Sequence, residues 1–465
     1  MDLTLLGVGG YVLLQLLIGL IVSRRVRTET DYVLAGRSFG YGLATMSIFA
    51  TWFGAETCIG SSAEIYHRGL SAASQDPFGY ALCILLMGAV LAAPLWRRGL
   101  VTLADLFRHR YSPGVERLAV LMMVPTSVLW AAAQIRAFGQ VLSASSTLTA
   151  ELAITLAAGV VIAYTVVGGL LADAVTDVVQ GGVLVIGLMV VFFVLLGDLG
   201  GLSAALGTIE SHRLRIFRVG GTIHASILHN LEAWLVPICG SVVAQELVAR
   251  VLACRSPRVA RRSAMMATGL YLTVGAIPLF FGLVGPAVMP DLEHAEHLLP
   301  RMIERHAAPW LYIVFAGALV SAILSTVDSA LLAASTLTTE NLIASVPRLR
   351  LSQVAKLRVN RCGVVLGGAA AYLLALHGGG VFDLVHDASA FGSAGIFTLV
   401  VFGLFSRRGG SASAYSALVA GMVVWLSASY LFECDYPYVL ALGSAITAYA
   451  LASVIAARLP GAARS

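Results

Sequence analysis

Residues 321–329 read Ser-Ala-Ile-Leu-Ser-Thr-Val-Asp-Ser and lie inside an apolar segment running from about residue 308 to 344. Hard cations take oxygen ligands, and this stretch offers hydroxyls at Ser321, Ser325, Thr326 and Ser329 and a carboxylate at Asp328. At about 100° per residue, a helix places all five, with Ala322, on one arc of roughly 160°. Val320, Ile323, Leu324, Val327, Ala330 and Leu331 fill the opposite side. Each hydroxyl also has the ordinary option of bonding back to the carbonyl four residues earlier. Asp328 has no such option, and a carboxylate deep in a membrane segment marks an ion or substrate path by default.

Other polar residues stand in apolar surroundings. Arg136, within Trp-Ala-Ala-Ala-Gln-Ile-Arg-Ala-Phe (130–138), is permanently charged and needs a partner. It suits a bidentate clamp on a substrate carboxylate. It equally suits a structural pair with Glu56 or Asp76, or a side chain snorkelling to the interface. Glu56 can bond frayed backbone or sense a substrate. Gln245, Glu246 and Arg250 read as an interfacial structural network. His294 and His297 have i, i+3 spacing but no convincing further metal ligands.

These residues must be held by membrane helices. The 465 residues are 58% hydrophobic and only 12% charged, with mean hydropathy +0.87, which excludes an ordinary soluble globular protein. Thirteen apolar stretches are long enough to cross a bilayer: about 2–23, 40–66, 78–96, 115–145, 150–168, 174–198, 226–250, 259–286, 308–344, 358–377, 381–405, 410–431 and 437–457. The six cysteines are scattered and form no CxxC pair or disulfide framework. No P-loop or soluble catalytic domain is present, which argues against an ATP-driven pump within this chain.

The first apolar run carries its positive charge after it, at Arg24, Arg25 and Arg27, so it reads as a retained span and not a signal peptide. With the N-terminus outside, the segments that become cytoplasmic hold 23 of the 30 Lys and Arg residues and the external segments six, with Arg136 inside a span. That asymmetry predicts thirteen spans with the C-terminus inside. The net charge of +5 is therefore a topology signal, and no nucleic-acid partner is expected.

Two spans carry breaks. The second contains Ala-Thr-Trp-Phe-Gly-Ala-Glu-Thr (50–57), and the seventh contains Trp-Leu-Val-Pro-Ile-Cys-Gly-Ser (234–241). Either alone is an ordinary kink. Lying five spans apart, they match the interrupted helices of two inverted repeats, whose freed backbone groups line a site near mid-membrane.

At this point the chain resembles the sodium/solute symporter family, the group of the bacterial proline, galactose and sialic acid symporters. Four stretches carry the resemblance: Asp-Tyr-Val-Leu-Ala-Gly-Arg (31–37), residues 50–57, Thr-Asp-Val-Val-Gln (176–180) and Ala-Ile-Leu-Ser-Thr (322–326). It implies an all-α membrane protein of about 13 transmembrane helices, with a LeuT-type 5+5 inverted repeat and accessory helices. The implied divisions are an accessory first span and loop (1–39), a first five-helix repeat (40–198), an external loop (199–225), a second repeat (226–405), and two accessory spans with a short tail (406–465).

The resemblance also implies a principal sodium site formed by the carbonyls of Ala50, Phe53 and Ala322 and the hydroxyls of Ser325 and Thr326. A second cation or proton site would use Asp177, Ser325, Asp328 and Ser329; alternatively, Asp177 is a hydrated gate on the ion exit path. By family position, Trp52, Thr57, Gln75, Gly240 and Ser241 would neighbour Arg136 in the substrate pocket.

The function expected is sodium-driven import of a small organic solute, an anion or zwitterion if Arg136 clamps it, across a bacterial inner membrane. Sodium is the only ion implied, no oligomer is required, and no enzymatic activity is expected. A membrane sensor acting with a separate signalling partner, a channel and a membrane-embedded enzyme are the rival classes.

Overall fold

The computed structural model describes residues 33–458 except 145, 167–169, 218–222, 307 and 346–350, with a few isolated positions of the first apolar run. The first span and the start of the 31–37 motif therefore lie outside the described residues. Regular structure among those described is helical; the sole β feature is a bridge between Phe39 and Cys254. The principal helices are α1 (Tyr41–Trp52), α2 (Ser62–Arg68), α3 (Phe78–Leu86), α4 (Pro113–Ala144), α5 (Ala150–Thr165), α6 (Leu170–Asp198), α7 (Ile223–Leu235) and α8 (Gln245–Leu252). They continue with α9 (Pro257–Val288), α10 (Pro309–Thr336), α11 (Gln353–His377), α12 (Val381–Ala390), α13 (Ser393–Phe405), α14 (Ser411–Leu426) and α15 (Pro437–Arg458).

Nine described helical segments are long and apolar enough to cross a membrane, and α12 with α13 makes a tenth, bent by 43°. Thirteen is reached only by dividing Glu56–Arg97 at Gly69–Pro77, adding the shorter α5, and adding the first span. The division has a clear cause: Gly69 has φ +69°, and a Cβ there would lie 2.6 Å from the Arg213 carbonyl.

Both expected breaks are present. Helix α1 stops because Phe53 turns extended (φ −100°, ψ 91°), and the chain resumes as a wide helical turn at Glu56–Ser61 before α2. Pro237 lies in another wide turn, Val236–Gly240, after which Ala244 is extended and α8 begins. A third break was not anticipated. Residues 381–405 read as one span, yet Gly392 takes a left-handed conformation (φ +66°) between α12 and α13. Glycine adopts this at little cost, and the Phe391-Gly392 pair was the available signal.

Helix α10 is the axis of the molecule. It packs against α1, α4, α6, α8 and α11, and 82% of its most apolar window is buried. Helix α9 covers α1 and α2, while α14 and α15 pack chiefly on each other, against α13. The polar arc of α10 consequently points inward. One correction follows for the charge asymmetry: Arg250 does not lie in a loop but in α8, 1% exposed, leaving the cytoplasmic total at twenty-two.

Candidate functional site

Where α1 ends, its last carbonyls lose their helical donors. The Phe53 N–H closes onto the Phe49 carbonyl, whereas among the described residues no backbone bond closes onto the Ala50 or Phe53 carbonyl. The facing residue is Thr326 of α10: a Cβ built on Gly54 would lie 3.5 Å from its hydroxyl. Thr326 Oγ1 donates back to the Ala322 carbonyl at 3.1 Å, the ordinary membrane-helix bond. Ser325 does not bond back; its hydroxyl touches Asp177 Oδ1 and lies 3.1 Å from Asp173 Oδ1. The break thus sets Gly54, which follows the Phe53 carbonyl, against the Thr326 hydroxyl of α10; oxygen donors of this kind suit a hard cation. The side chain of Ser321 lies outside the described residues.

Beside this set is a dry charged cluster. Ser47 Oγ donates to Asp177 Oδ2 at 2.7 Å, and Ser329 Oγ donates to Asp173 Oδ2 at 2.6 Å. Arg250 enters from α8. Its Nη2 reaches Asp173 Oδ2 at 2.9 Å, Asp177 Oδ2 at 3.3 Å and Ser329 Oγ at 2.7 Å. Its Nε faces the Ser47 hydroxyl at 3.1 Å and its Nη1 the Glu246 carbonyl at 3.2 Å. Asp328 is 1% exposed, and neither carboxylate oxygen has a hydrogen-bond partner among the described residues. A cavity of about 390 Å³ opens against Arg250 and Ser329.

Of the residues named for a second site, Asp177, Ser325 and Ser329 share one buried hydrogen-bond network with Asp173 and Arg250, while Asp328 makes no hydrogen bond to it among the described residues. Arg250 is a central ion-pair partner, and the reading of it as an interfacial residue is corrected. Its sequence signal was spacing: in Gln-Glu-Leu-Val-Ala-Arg (245–250), α8 carries Glu246 and Arg250 one helical turn apart, both buried. For Asp173, the signal was its place four residues before Asp177 on one helix face.

The expected pocket residues do not line one common cavity. Trp52 stacks on Tyr80 (ring centroids 5.3 Å apart) and meets Trp130 edge-on at 4.7 Å. The Tyr271 hydroxyl lies 3.0 Å from the Trp52 carbonyl, 2.9 Å from Asp76 Oδ1 and 2.9 Å from Thr57 Oγ1. Tyr80 meets Ser389 at 3.2 Å, and Ser241 donates to Ser389 at 2.9 Å, so Ser241 joins this group indirectly. Glu56 Oε2 accepts from Gln134 at 2.7 Å. The other carboxylate oxygens, Glu56 Oε1 and Asp76 Oδ2, have no partner among the described residues, and neither does the Trp52 indole nitrogen.

Gln75 instead bonds His386 at 3.0 Å and lines a cavity of about 790 Å³ with Arg68, Glu232 and Asp435. Gly240 lines a separate cavity of about 300 Å³ with Met122, Met123 and Phe391. Arg136 pairs with neither suggested carboxylate. Its Nε is 3.9 Å from Glu296 Oε2 and its Nη1 donates to the Ala375 carbonyl at 3.2 Å. Glu296 also accepts the Val381 N–H at the start of α12, at 2.6 Å. Nearby His297 meets Gln140 at 3.0 Å, and burial pushes its imidazole down to about 4.

Comparison with known proteins agrees with this architecture. A model described as "Sodium:solute symporter family" matches residues 32–422, and the chain belongs to that family. The human high affinity choline transporter is 26% identical over 440 residues, covering 89% of this chain and 74% of that one. The sodium/proline symporter of Escherichia coli is 24% identical over 441 residues, covering 90% and 87%. A Na+-coupled sialic acid symporter in a substrate-bound outward-open state superposes with a TM-score of 0.83 at 19% identity, covering 97% and 98%. A nucleobase-cation-symport-1 transporter with bromovinylhydantoin bound gives 0.64 at 15% identity, covering 94% and 98%. The fold is the LeuT-type architecture expected from the sequence. The protein is a multi-pass sodium-coupled symporter of a small solute, and the sensor alternative is not favoured.

Proposed function

We propose that the solute is a small organic cation of the quaternary-ammonium type, held at Trp52, Tyr80 and Trp130 and moved inward with sodium. The observation that carries this reading is a set of three buried aromatic rings grouped with two buried carboxylates, Glu56 and Asp76, that each retain an unpartnered oxygen. Aromatic faces attract a cation by their quadrupole, worth about 2 kcal/mol or more when the site is desolvated. A cationic guest would supply the counter-charge that lets these buried carboxyls ionise. The choline transporters among its relatives are named for such a solute. The rings touch one another here, so the solute enters by parting them, a rearrangement that alternating access supplies.

Arg136 supports the anionic or zwitterionic reading less well, because Glu296 stands 3.9 Å from its Nε as a nearby counter-charge and its Nη1 is bonded to the Ala375 carbonyl. Its role in this proposal is to tie α4 to α11 and, through Glu296, to the start of α12.

Sodium would sit on the carbonyls of Ala50, Phe53 and Ala322 and the hydroxyls of Ser325 and Thr326. Its binding favours the state that accepts solute, and coupling is that difference in affinity. The membrane potential adds about 2.3 kcal/mol per charge per 100 mV. On this reading the protein resides in a bacterial inner membrane, N-terminus outside and C-terminus cytoplasmic, with residues 40–198 and 226–405 as the two repeats. The Lys and Arg asymmetry supports that orientation.

Uptake of labelled choline into proteoliposomes tests both parts. Accumulation is expected only with an inward sodium gradient, with competition by tetramethylammonium and none by proline or sialic acid. The double variant Ser325→Ala/Thr326→Ala should need several-fold more sodium. Proline or sialic acid uptake that choline does not inhibit would overturn the cation reading.

A further inference from the structure

Asp76 lies beside the aromatic rings in a setting whose hydrogen atoms can be counted. It is 1% exposed. Its Oδ1 stands 2.9 Å from the Tyr271 oxygen, and its Oδ2 has no partner among the described residues. The same tyrosine oxygen is 3.0 Å from the Trp52 carbonyl and 2.9 Å from Thr57 Oγ1.

A phenol has one hydrogen to give. The Trp52 carbonyl can only accept, and the Thr57 hydroxyl is 3.5 Å from it, too far for a good bond. An ionised Asp76 can also only accept, so two buried acceptors would compete for the single Tyr271 hydrogen and one would go without. A protonated Asp76 ends that competition. It donates to the Tyr271 oxygen, Tyr271 donates to the Trp52 carbonyl, and Thr57 donates to the second lone pair of the phenol. Glu56 makes no such demand, because its bond from Gln134 Nε2 already uses a hydrogen of the amide.

Charge leads to the same state. The titratable groups facing Asp76 are Glu56 and Cys58 from the turn after α1, Tyr80 from α3 and Tyr271 from α9, while His386 of α12 bonds the neighbouring Gln75. None of these facing groups is an arginine or a lysine, and a dry carboxyl without a counter-charge keeps its proton.

We infer that Asp76 carries a proton in the solute-free protein and releases it when a cationic solute arrives, so that one positive charge replaces another. In the exchange one carboxylic O–H bond breaks, its proton passes to water, and the carboxylate left behind faces the ammonium group. The inference rests on the quaternary-ammonium reading of this site, since a solute without net charge would leave the proton in place. Gln75, the adjacent residue, lines the cavity of about 790 Å³, which gives the proton a way off that begins one residue from the carboxyl.

Calorimetric titration of choline into the purified full-length protein counts the protons, at fixed sodium and near-neutral pH. The heat differs between phosphate and Tris in proportion to the protons released. Wild type should release about one per choline bound, and by linkage its affinity should rise with pH, by up to about tenfold per unit while Asp76 is protonated in the free protein. Asp76→Asn should release none and lose that pH dependence, whereas Glu56→Gln should still release one. A merely structural Asp76 would alter affinity in its variant without altering the count. Choline binding to wild type without proton release would overturn the inference, as would release that survives in Asp76→Asn and disappears in Glu56→Gln. No choline binding to wild type would instead remove the cation reading, and the inference with it. Should Asp76→Asn fail to fold or to bind, the counts for wild type and Glu56→Gln still decide.

Discussion

Two buried acidic groups lie on either side of the α1 break, and they are neutralised in different ways. Asp173 and Asp177 have a guanidinium built into the fold, with every nitrogen of Arg250 engaged. Glu56 and Asp76 have only neutral partners, Gln134 and Tyr271, and keep one free oxygen each beside three aromatic rings. The first group has a built-in counter-charge, whereas the second has none among the described residues. A buried charge persists only with a counter-charge or strong hydrogen bonds, so on the proposed reading the first group ties helices together and the second is where a cationic solute would supply the missing charge.

Breaking the internal pair should give the largest effect. Removing one partner of a buried ion pair costs roughly 3–5 kcal/mol, so Arg250→Gln should unfold at markedly lower temperature in sodium-free detergent solution. Equal melting of the two proteins without sodium would show that Arg250 is not the counter-ion of Asp173 and Asp177.

The aromatic side of the comparison should respond in binding as well as in stability, since truncating a buried Trp costs about 3–5 kcal/mol, so affinity is read on protein shown to be folded. Trp52→Ala or Trp130→Ala should weaken choline binding by at least about tenfold, since a cation–π contact of ~2 kcal/mol converts to such a factor. Trp52→Phe should retain part of the affinity because Phe is a weaker cation–π partner. Undiminished choline affinity in Trp52→Ala and Trp130→Ala would take the cation away from these rings.

Much of this contrast was legible in the sequence. The polar arc of α10 followed from periodicity, and the α1 break from Gly54 with Glu56 in an apolar run. The charged partners were harder to place. Arg250 read as interfacial because Arg255, Arg258, Arg261 and Arg262 follow it closely, and nothing local shows that α8 inserts its side chain between α6 and α10. Asp173 preceded the motif that drew attention to Asp177. Tyr80 and Trp130 lie on α3 and α4, far from Trp52 in sequence, and in a chain with 39 aromatic residues counted as Phe, Trp and Tyr single aromatics carry little signal. Tertiary neighbours of this kind follow from helix packing and not from spacing along one chain segment.

Arg136 should give the smallest effect on solute binding, and it sharpens the comparison most. It is the one charged residue of the α4 centre that the sequence offered as a solute ligand, yet its partners are Glu296 and the Ala375 carbonyl. The Arg136 and Glu296 side chains are partly buried and 3.9 Å apart, a loose pair, and on the proposed reading Arg136 does not touch the solute, so Arg136→Gln should change choline affinity by no more than a few-fold. Because Glu296 also accepts the Val381 N–H, the same variant should loosen the start of α12. Hydrogen exchange across residues 380–384 would then quicken while the rings at Trp52 stay protected. A large loss of affinity for a carboxylate-bearing solute in Arg136→Gln, with choline unaffected in wild-type competition, would return the substrate to the anionic class and leave Glu56 and Asp76 without a guest.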